Sequence, residues 1–341
     1  MLKKINAAIL GCTGYTGIEL INILNYHPNV NINFIGSRSS IGSKINSFDK
    51  RLENVSLPII DDFNNIDYAK FDVVFFTLPH SVSQNIIKDN FGKSIFIDLS
   101  ADFRIKDYKI LEKNYNLKHK CPFLIKEFVY GLPEINYEKI SNSKNIAVPG
   151  CYPTSILLPL IPLLKNNMIL TNNIIIDSKS GYSGAGKKFE LNNLIKENNF
   201  NFYNYNTNNH RHICEVYQEL SIYTKNKVQF SFNPHILPIF RGMMSTIYCD
   251  LNTGFNSNDI MDIYKNEYDN KIFINLIKNK KQIDFFSVIQ TNKCLIKLFK
   301  HHSNDKIIIV SVIDNLIKGA SGQAVQCMNL IFGLDEFIGL T

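Results

Sequence analysis

Ile5-Asn6-Ala7-Ala8-Ile9-Leu10-Gly11-Cys12-Thr13-Gly14-Tyr15-Thr16-Gly17 is the stretch that decides the fold. Ile5 to Leu10 is a short buried-strand pattern, and Ile18, Leu20, Ile21 and Leu24 beyond it form a helical apolar stripe. A strand, a glycine turn and a helix make a dinucleotide-binding arrangement, because glycines let a pyrophosphate approach the N–H groups of a helix start. Gly11, Thr13, Gly14, Tyr15, Thr16 and Gly17 are therefore candidate cofactor contacts. The spacing is G-x-x-G-x-x-G; a glycine turn serving only strand–helix packing is the competing reading.

Working outward, Asn31 to Ile35 reads as the next strand and ends in Gly36-Ser37-Arg38-Ser39-Ser40. An NAD-preferring site usually has an acidic residue there for the ribose 2′-hydroxyl. Ser37 and Arg38 suit a 2′-phosphate instead, so the expected cofactor is NADPH/NADP. Val73 to Phe76 is a continuous apolar run, as in a parallel strand covered on both faces, and it ends at Thr77-Leu78-Pro79-His80. Pro79 then lies at the carboxyl edge, where such sheets bind ligands. Ile95 to Leu99 repeats the pattern and leads into Ser100-Ala101-Asp102-Phe103-Arg104. Tyr108 to Lys126 reads as irregular. Alternating strands and helices up to this point give an α/β, doubly wound parallel sheet.

Val148-Pro149-Gly150-Cys151-Tyr152-Pro153-Thr154 joins a buried strand to a helix-length apolar run. Cys151 then sits beside N–H groups left unpaired at a helix start, whose dipole favours a thiolate. Most intracellular cysteines are small buried hydrophobes, but glycine before and proline after this one point to a nucleophile. Pro159 and Pro162 predict a helix that is kinked or short.

Beyond Cys151 the texture changes. Ser180 to Lys187 can form a backbone nest for an anion or a flexible loop. Asn192 to Asn209 reads as a variable surface segment. His210-Arg211-His212-Ile213-Cys214-Glu215 leads into a helix. If its start is extended, the two histidines cannot face one point. Ser257 to Tyr268 reads as a helix with a serine cap, and Ala324 to Ile331 as a closing helix that returns to the first domain.

The chain has 341 residues, 45% hydrophobic and 20% charged, enough for two domains. Lysines spread along it give a net charge of +7 without the clustering of a nucleic-acid surface. No apolar run approaches the roughly 20 residues of a membrane span. Met1-Leu2-Lys3-Lys4 runs directly into a strand, unlike a signal peptide. Seven cysteines with no C-x-x-C pair point to reduced thiols, a cytoplasmic setting and no metal site. Only five arginines stand against 32 lysines, and Arg38, Arg104, Arg211 and Arg241 fall in the motifs above and in Arg241-Gly242. Compositional drift should spare arginine where a planar, bidentate fork is needed.

Together the glycine turn, Leu99 to Arg104, Tyr130-Gly131-Leu132-Pro133-Glu134, Pro149 to Thr154, Ser180 to Gly186, His210-Arg211-His212 and Asp314 to Ala324 resemble the N-acetyl-gamma-glutamyl-phosphate reductases. These are the arginine-pathway branch of the semialdehyde dehydrogenase family. The resemblance implies a Rossmann-type parallel-sheet domain (1–148 plus 316–341) and an α+β catalytic and oligomerisation domain (149–315). It implies NADPH-dependent reduction of a small-molecule acyl phosphate, with release of phosphate through a cysteine thioester, by a homodimer or homotetramer without nucleic acid or membrane. Cys151 matches the nucleophile and His210 the acid/base. Arg211, Arg241, His212 and Glu215 are the substrate candidates, either arginine suiting the substrate carboxylate. Ser183, Gly184 and Asn315 complete the cofactor set. Two departures are Val148, where asparagine is usual, and Lys187, where arginine is common. The alternatives are a sister reductase for an aspartyl or carrier-bound substrate, and a non-catalytic NADP-binding sensor.

Overall fold

A computed structural model describes residues 4–197, 199–278 and 282–341. The reading of Met1-Leu2-Lys3 lies outside the described residues. The chain divides into two compact units, Met1–Pro149 with Ala320–Thr341, and Gly150–Gly319. Sequence reasoning drew the lines at 148/149 and 315/316.

The first unit holds six strands: β1 (Ile5–Leu10), β2 (Val30–Gly36), β3 (Val73–Phe76), β4 (Ile95–Asp98), β5 (Val129–Tyr130) and β6 (Asn145–Ala147). They are all parallel, in the order β2-β1-β3-β4-β6-β5. Alternate residues bury on opposite faces: Ala7, Ile9, Val73 and Phe75 in one core, Ala8, Leu10, Val74 and Phe76 in the other. This explains the unbroken apolar run at 73–76, since neither face meets water. Each such phenylalanine contributes about 1.5–3 kcal/mol by burial. Helix α1 (Tyr15–Asn25) starts directly after the glycine turn. Helices α2 (Ser83–Asn90), α3 (Tyr108–Tyr115) and α4 (Pro133–Ser141) follow. The segment expected to be irregular thus contains α3, which the Asp107 carboxylate caps on the N–H of Lys109. Because the chain leaves β1 toward β2 on one side and β3 on the other, a topological switch point opens at the carboxyl ends of β1 and β3.

In the second unit, helix α5 spans Cys151–Lys165 and is longer than its prolines predicted. Pro162 has no N–H to give the carbonyl of Leu158, so that acceptor needs another donor. The Tyr268 hydroxyl supplies it, and Tyr264 donates to the neighbouring Pro159 carbonyl at 2.6 Å. Helix α6 is Ile213–Ser221; both tyrosines lie on α7 (Ser257–Tyr268). The cap of α7 is Asn256, in a capping box with Asp259, and not the serine.

Strand β7 (Ile174–Gly181) opens the second sheet, and a two-stranded ribbon of β8 (Ile195–Lys196) and β9 (Asn199–Phe200) stands apart from it. With β10 (Tyr203–Asn204), β11 (Phe230–Leu237), β12 (Met243–Asp250), β13 (Ile274–Leu276), β14 (Cys294–Lys300) and β15 (Lys306–Ile313) the mixed sheet runs β10-β11-β7-β12-β15-β14-β13. A buried chain of hydroxyls, Ser155–Ser245–Ser178, each contact 2.7 Å, joins α5 to β12 and β7. After β15 a π-turn (Ile317–Ser321) precedes the closing helix α8 (Gly322–Ile331), which begins two residues before the expected start. Among the described residues no helix is long and apolar enough to cross a membrane.

Candidate active site

In the second unit Cys151 is the first residue of α5 and Gly150 is its N-cap. The N–H of Gly150 donates to Oε1 of fully buried Glu215 at 2.8 Å, which ties the start of α5 to the first turn of α6. Thr154 N–H closes the first turn on the Gly150 carbonyl at 3.0 Å. Tyr152, the next residue, lies edge-on against both His210 and His212, at 5.3 and 6.0 Å between ring centroids. Phe232 and Tyr205 also wall His210, at 5.5 and 5.6 Å, and the hydroxyls of Tyr152 and Tyr205 meet at 3.1 Å.

The two histidines come together, against the expectation that they could not face one point; an extended segment would also set residues two apart on one face, so that expectation misapplied the strand period. Residues 211–212 form a turn, and the His212 N–H donates to Nδ1 of His210 at 3.1 Å. That bond brings the rings within 4.8 Å of each other. With Nδ1 accepting, a neutral His210 carries its proton on Nε2. Burial first, and the positive charge of Arg211 second, lower its pKa to about 4, so the ring stays neutral until the pH falls toward that value. Cys214, close by in sequence, is held as a thiol: burial and the charge of Glu215 push it to about 12. None of the seven cysteines is in a disulfide.

Sequence reasoning grouped Arg241 and Glu215 with the substrate contacts, whereas the structure shows both polar heads engaged within the protein. Glu215 holds the N-cap of α5. Arg241 forks onto buried Asp314, Nε to Oδ2 at 2.8 Å and a terminal nitrogen to Oδ1 at 3.2 Å. The same carboxylate accepts N–H groups of Gln290 (2.6 Å) and Leu316 (2.8 Å). Arg211 is exposed. Asn315 is held on both sides, accepting from the Gly242 N–H at 2.8 Å and donating to the Ser183 hydroxyl at 2.9 Å. A Cβ on Gly184 would lie 3.8 Å from the Asn315 amide nitrogen, so Ser183, Gly184 and Asn315 form one cluster.

In the first unit Gly11 N–H bonds the Gly36 carbonyl at 2.8 Å, and the Thr13 and Ser37 hydroxyls lie 3.4 Å apart. These contacts bring the glycine turn beside the end of β2. Arg38 follows, its guanidinium 5.4 Å from the Phe63 ring centroid. A Cβ on Gly11 would come within 2.4 Å of the Thr77 carbonyl, and one on Gly17 within 2.4 Å of the Gly11 carbonyl. The close turn that a pyrophosphate needs is therefore built here, and the β2 end offers a cation and hydroxyls in Arg38 and Ser37. This donor set fits a 2′-phosphorylated dinucleotide.

Sequence reasoning missed three parts of this site. Tyr205 lies in the segment set aside as variable surface. Asp314 was quoted in a motif without a task. Gly319, in the π-turn, lies against Cys151: a Cβ there would lie 2.7 Å from Cβ of Cys151. Its signal was only a glycine within the Asp314 to Ala324 motif.

A parallel-sheet dinucleotide domain followed by a mixed-sheet domain with a helix-start cysteine defines a class of aldehyde-level oxidoreductases. Family models described as "Semialdehyde dehydrogenase, NAD binding domain" and "Semialdehyde dehydrogenase, dimerisation domain" match residues 6–143 and 151–315, and the chain belongs to this family. A relative from Ehrlichia canis named N-acetyl-gamma-glutamyl-phosphate reductase is 42% identical, over 100% of this chain and 99% of its own length. One of the same name from Caldicellulosiruptor bescii is 44% identical over 98% of each chain. Within the family this chain groups with the N-acetyl-gamma-glutamyl-phosphate reductases. A solved aspartate semialdehyde dehydrogenase II from Vibrio cholerae superposes with a TM-score of 0.72 at 17% identity, covering 97% of this chain and 99% of the other. The enzyme from Candida albicans, solved with NADP, gives 0.65 at 14%, covering 97% and 99%. At such identities the likeness is one of fold.

Gly319→Ala places a methyl group against Cβ of Cys151 and must displace one or the other. Turnover should fall roughly a hundredfold, the effect of a misplacement near 1 Å. Steady-state kinetics beside a thermal melt checks this, and wild-type turnover would show that the contact does not position the thiol.

Proposed function

We propose that this chain reduces N-acetyl-gamma-glutamyl phosphate to the 5-semialdehyde with NADPH and releases phosphate, in the arginine-forming pathway and in the cytoplasm. The observation that carries this reading is Cys151 at the start of α5, in a chain that aligns end to end with relatives of that name.

The Cys151 sulfur attacks the acyl carbon, the carbon–oxygen bond to phosphate breaks, and the thiol proton leaves with the departing phosphate. The product is a thioester on Cys151, which splits one hard step into two. Of the N–H groups after Cys151, Pro153 has none and Thr154 N–H is engaged with Gly150, so we place the oxyanion toward the N–H of Tyr152. His210 works from Nε2, because Nδ1 is taken by His212. Where the resemblance implied an acid/base, we read His210 as a donor: neutral at physiological pH, it gives a hydrogen bond to the carbonyl oxygen as charge develops there. Arg211 is the arginine we place on the substrate carboxylate, since Arg241 is committed to Asp314. NADPH, when bound, supplies the hydride that reduces the thioester. Gly11, Thr13, Gly14, Tyr15, Thr16 and Gly17 would hold its pyrophosphate, Ser37 and Arg38 its 2′-phosphate. Pro79, at the carboxyl edge of β3, would lie toward its reactive end. Loss of the thiolate from the reduced carbon then yields the aldehyde.

The chain also assembles with itself in this reading. Ile175, Tyr248, Ile308 and Phe299 lie in register as one row across β7, β12, β15 and β14. Ile175, Tyr248 and Phe299 are 45%, 40% and 39% exposed, an apolar row of the kind that pairs with a second copy.

Phosphate-dependent reduction of NADP by N-acetyl-glutamate 5-semialdehyde tests the activity. Cys151→Ser should lower it by roughly four orders of magnitude or more while NADPH affinity stays near wild type. Undiminished turnover by the serine variant would exclude the thioester route. Arg38→Ala should weaken NADPH binding by roughly tenfold to a hundredfold and leave NADH binding almost unchanged, since only NADPH carries the charge-assisted contact. Equal losses for both would remove Arg38 from the 2′-phosphate. Tyr248→Lys should convert the assembly to smaller species by light scattering; an unchanged mass would place the contact on another face.

A further inference from the structure

The Ser100-Ala101-Asp102-Phe103-Arg104 motif follows β4 and has no part in the chemistry above. Its Asp102 is fully buried. Oδ1 accepts the N–H of Ser81 at 2.8 Å, and Oδ2 accepts the N–H of Gln84 at 3.1 Å. A further link runs the other way between the same two segments, the Ala101 N–H donating to Nδ1 of His80 at 3.1 Å. The motif is itself braced, since Asp102 N–H bonds the Ser100 hydroxyl and that hydroxyl donates to Asp98 at 2.7 Å. His119 Nε2 lies 2.8 Å from the Asp102 carbonyl, and a terminal nitrogen of Arg104 donates to the Leu99 carbonyl at 2.7 Å.

The segment these bonds hold is unusual. Ser81 has φ +70°, a left-handed conformation that is uncommon and costly for a non-glycine residue. It ends the turn Thr77-Leu78-Pro79-His80-Ser81, which leads from the carboxyl end of β3 into α2. Thr77 is tied to β1 by its N–H and hydroxyl, both on the Leu10 carbonyl at 2.8 and 2.9 Å. Gly11, which opens the glycine turn, touches the Thr77 carbonyl so closely that no Cβ fits. The turn after β3 therefore forms one wall of the switch-point crevice, with the glycine turn as the other.

We propose that Asp102 is a positioning residue for the cofactor: its carboxylate pins the Pro79–Ser81 turn in its strained conformation, and so fixes the wall against which the nicotinamide half is bound. This rests on the cofactor reading given above. Asp102 contacts neither substrate nor cofactor, and acts through Ser81. A glycine at 81 would adopt φ +70° without help, which supplies an internal control.

The test reads NADPH binding by nicotinamide fluorescence on the full chain without substrate, beside a thermal melt. Asp102→Asn keeps the shape but turns an amide N–H₂ toward one of the two N–H donors, and should raise the NADPH Kd roughly tenfold. Adding Ser81→Gly to that variant should recover most of the loss. Ser81→Val, a β-branched residue at a positive φ, should weaken binding in the same direction, and it decides the matter if Asp102→Asn does not fold. A lowered melting temperature with unchanged Kd in Asp102→Asn, or no rescue by Ser81→Gly, would overturn the proposal. Arg38→Ala separates the two readings: if it weakens NADPH binding and the Asp102 and Ser81 variants do not, only the positioning role fails. If wild type does not bind NADPH, both fail.

Discussion

The hydrogen bond from the Gly150 N–H to the buried Glu215 carboxylate is the contact on which the catalytic unit depends. A helix start has N–H groups that need acceptors, and a buried carboxylate needs donors. Each answers the other here, at the point where α5 presents Cys151 and α6 follows the His210–His212 turn. The bond therefore sets Cys151 and the histidine pair in one frame. Tyr152 fills the angle between them with its ring, and its burial raises its pKa well above the ordinary phenol value, so it remains a neutral wall. Behind α5, the Ser155–Ser245–Ser178 chain fixes the helix on its sheet, and the Asp314 cluster fixes the turn that brings Asn315 and Gly319 forward.

Much of the fold was legible because its signals are local. A strand, a glycine turn and a helix are consecutive in the chain, and the apolar run at 73–76 reports burial on both faces without knowledge of any partner. Gly150 and Pro153 likewise mark a helix start around Cys151 from immediate neighbours alone. What stayed hidden depends on contacts across long separations. Pro159 and Pro162 forecast a kinked or short helix, since nothing nearby in sequence shows that a tyrosine from α7 donates to the carbonyl that Pro162 orphans. The α3 helix was lost in a segment of weak periodicity, although Asp107 supplies an ordinary cap. The expectation that His210 and His212 cannot face one point misread the strand period, which sets residues two apart on one face; the observed turn, closed by one N–H bond to Nδ1, brings their rings closer still.

The arginines show how far a compositional argument reaches. Arginine was expected to persist where a bidentate fork is needed. Arg51 does fork, onto Glu19 and Asp49, outside every motif that was singled out. Arg241 forks too, but onto Asp314 within the protein, where the sequence left it as a candidate for substrate. The residue type predicted the geometry of the interaction and not its partner. Asp102 shows the same limit from the acidic side, where a motif was visible but its reach back to Ser81 was not.

The central claim is that Cys151, set at the start of α5 by Glu215, is acylated before any hydride moves. Mixing the enzyme with N-acetyl-gamma-glutamyl phosphate in the absence of NADPH, with phosphate release followed by rapid quench and the protein by intact mass, tests it directly. The account predicts a burst of about one phosphate per chain and an acyl group on Cys151 that hydroxylamine removes. Phosphate release only when NADPH is present, with no acylated enzyme at any time, would contradict it.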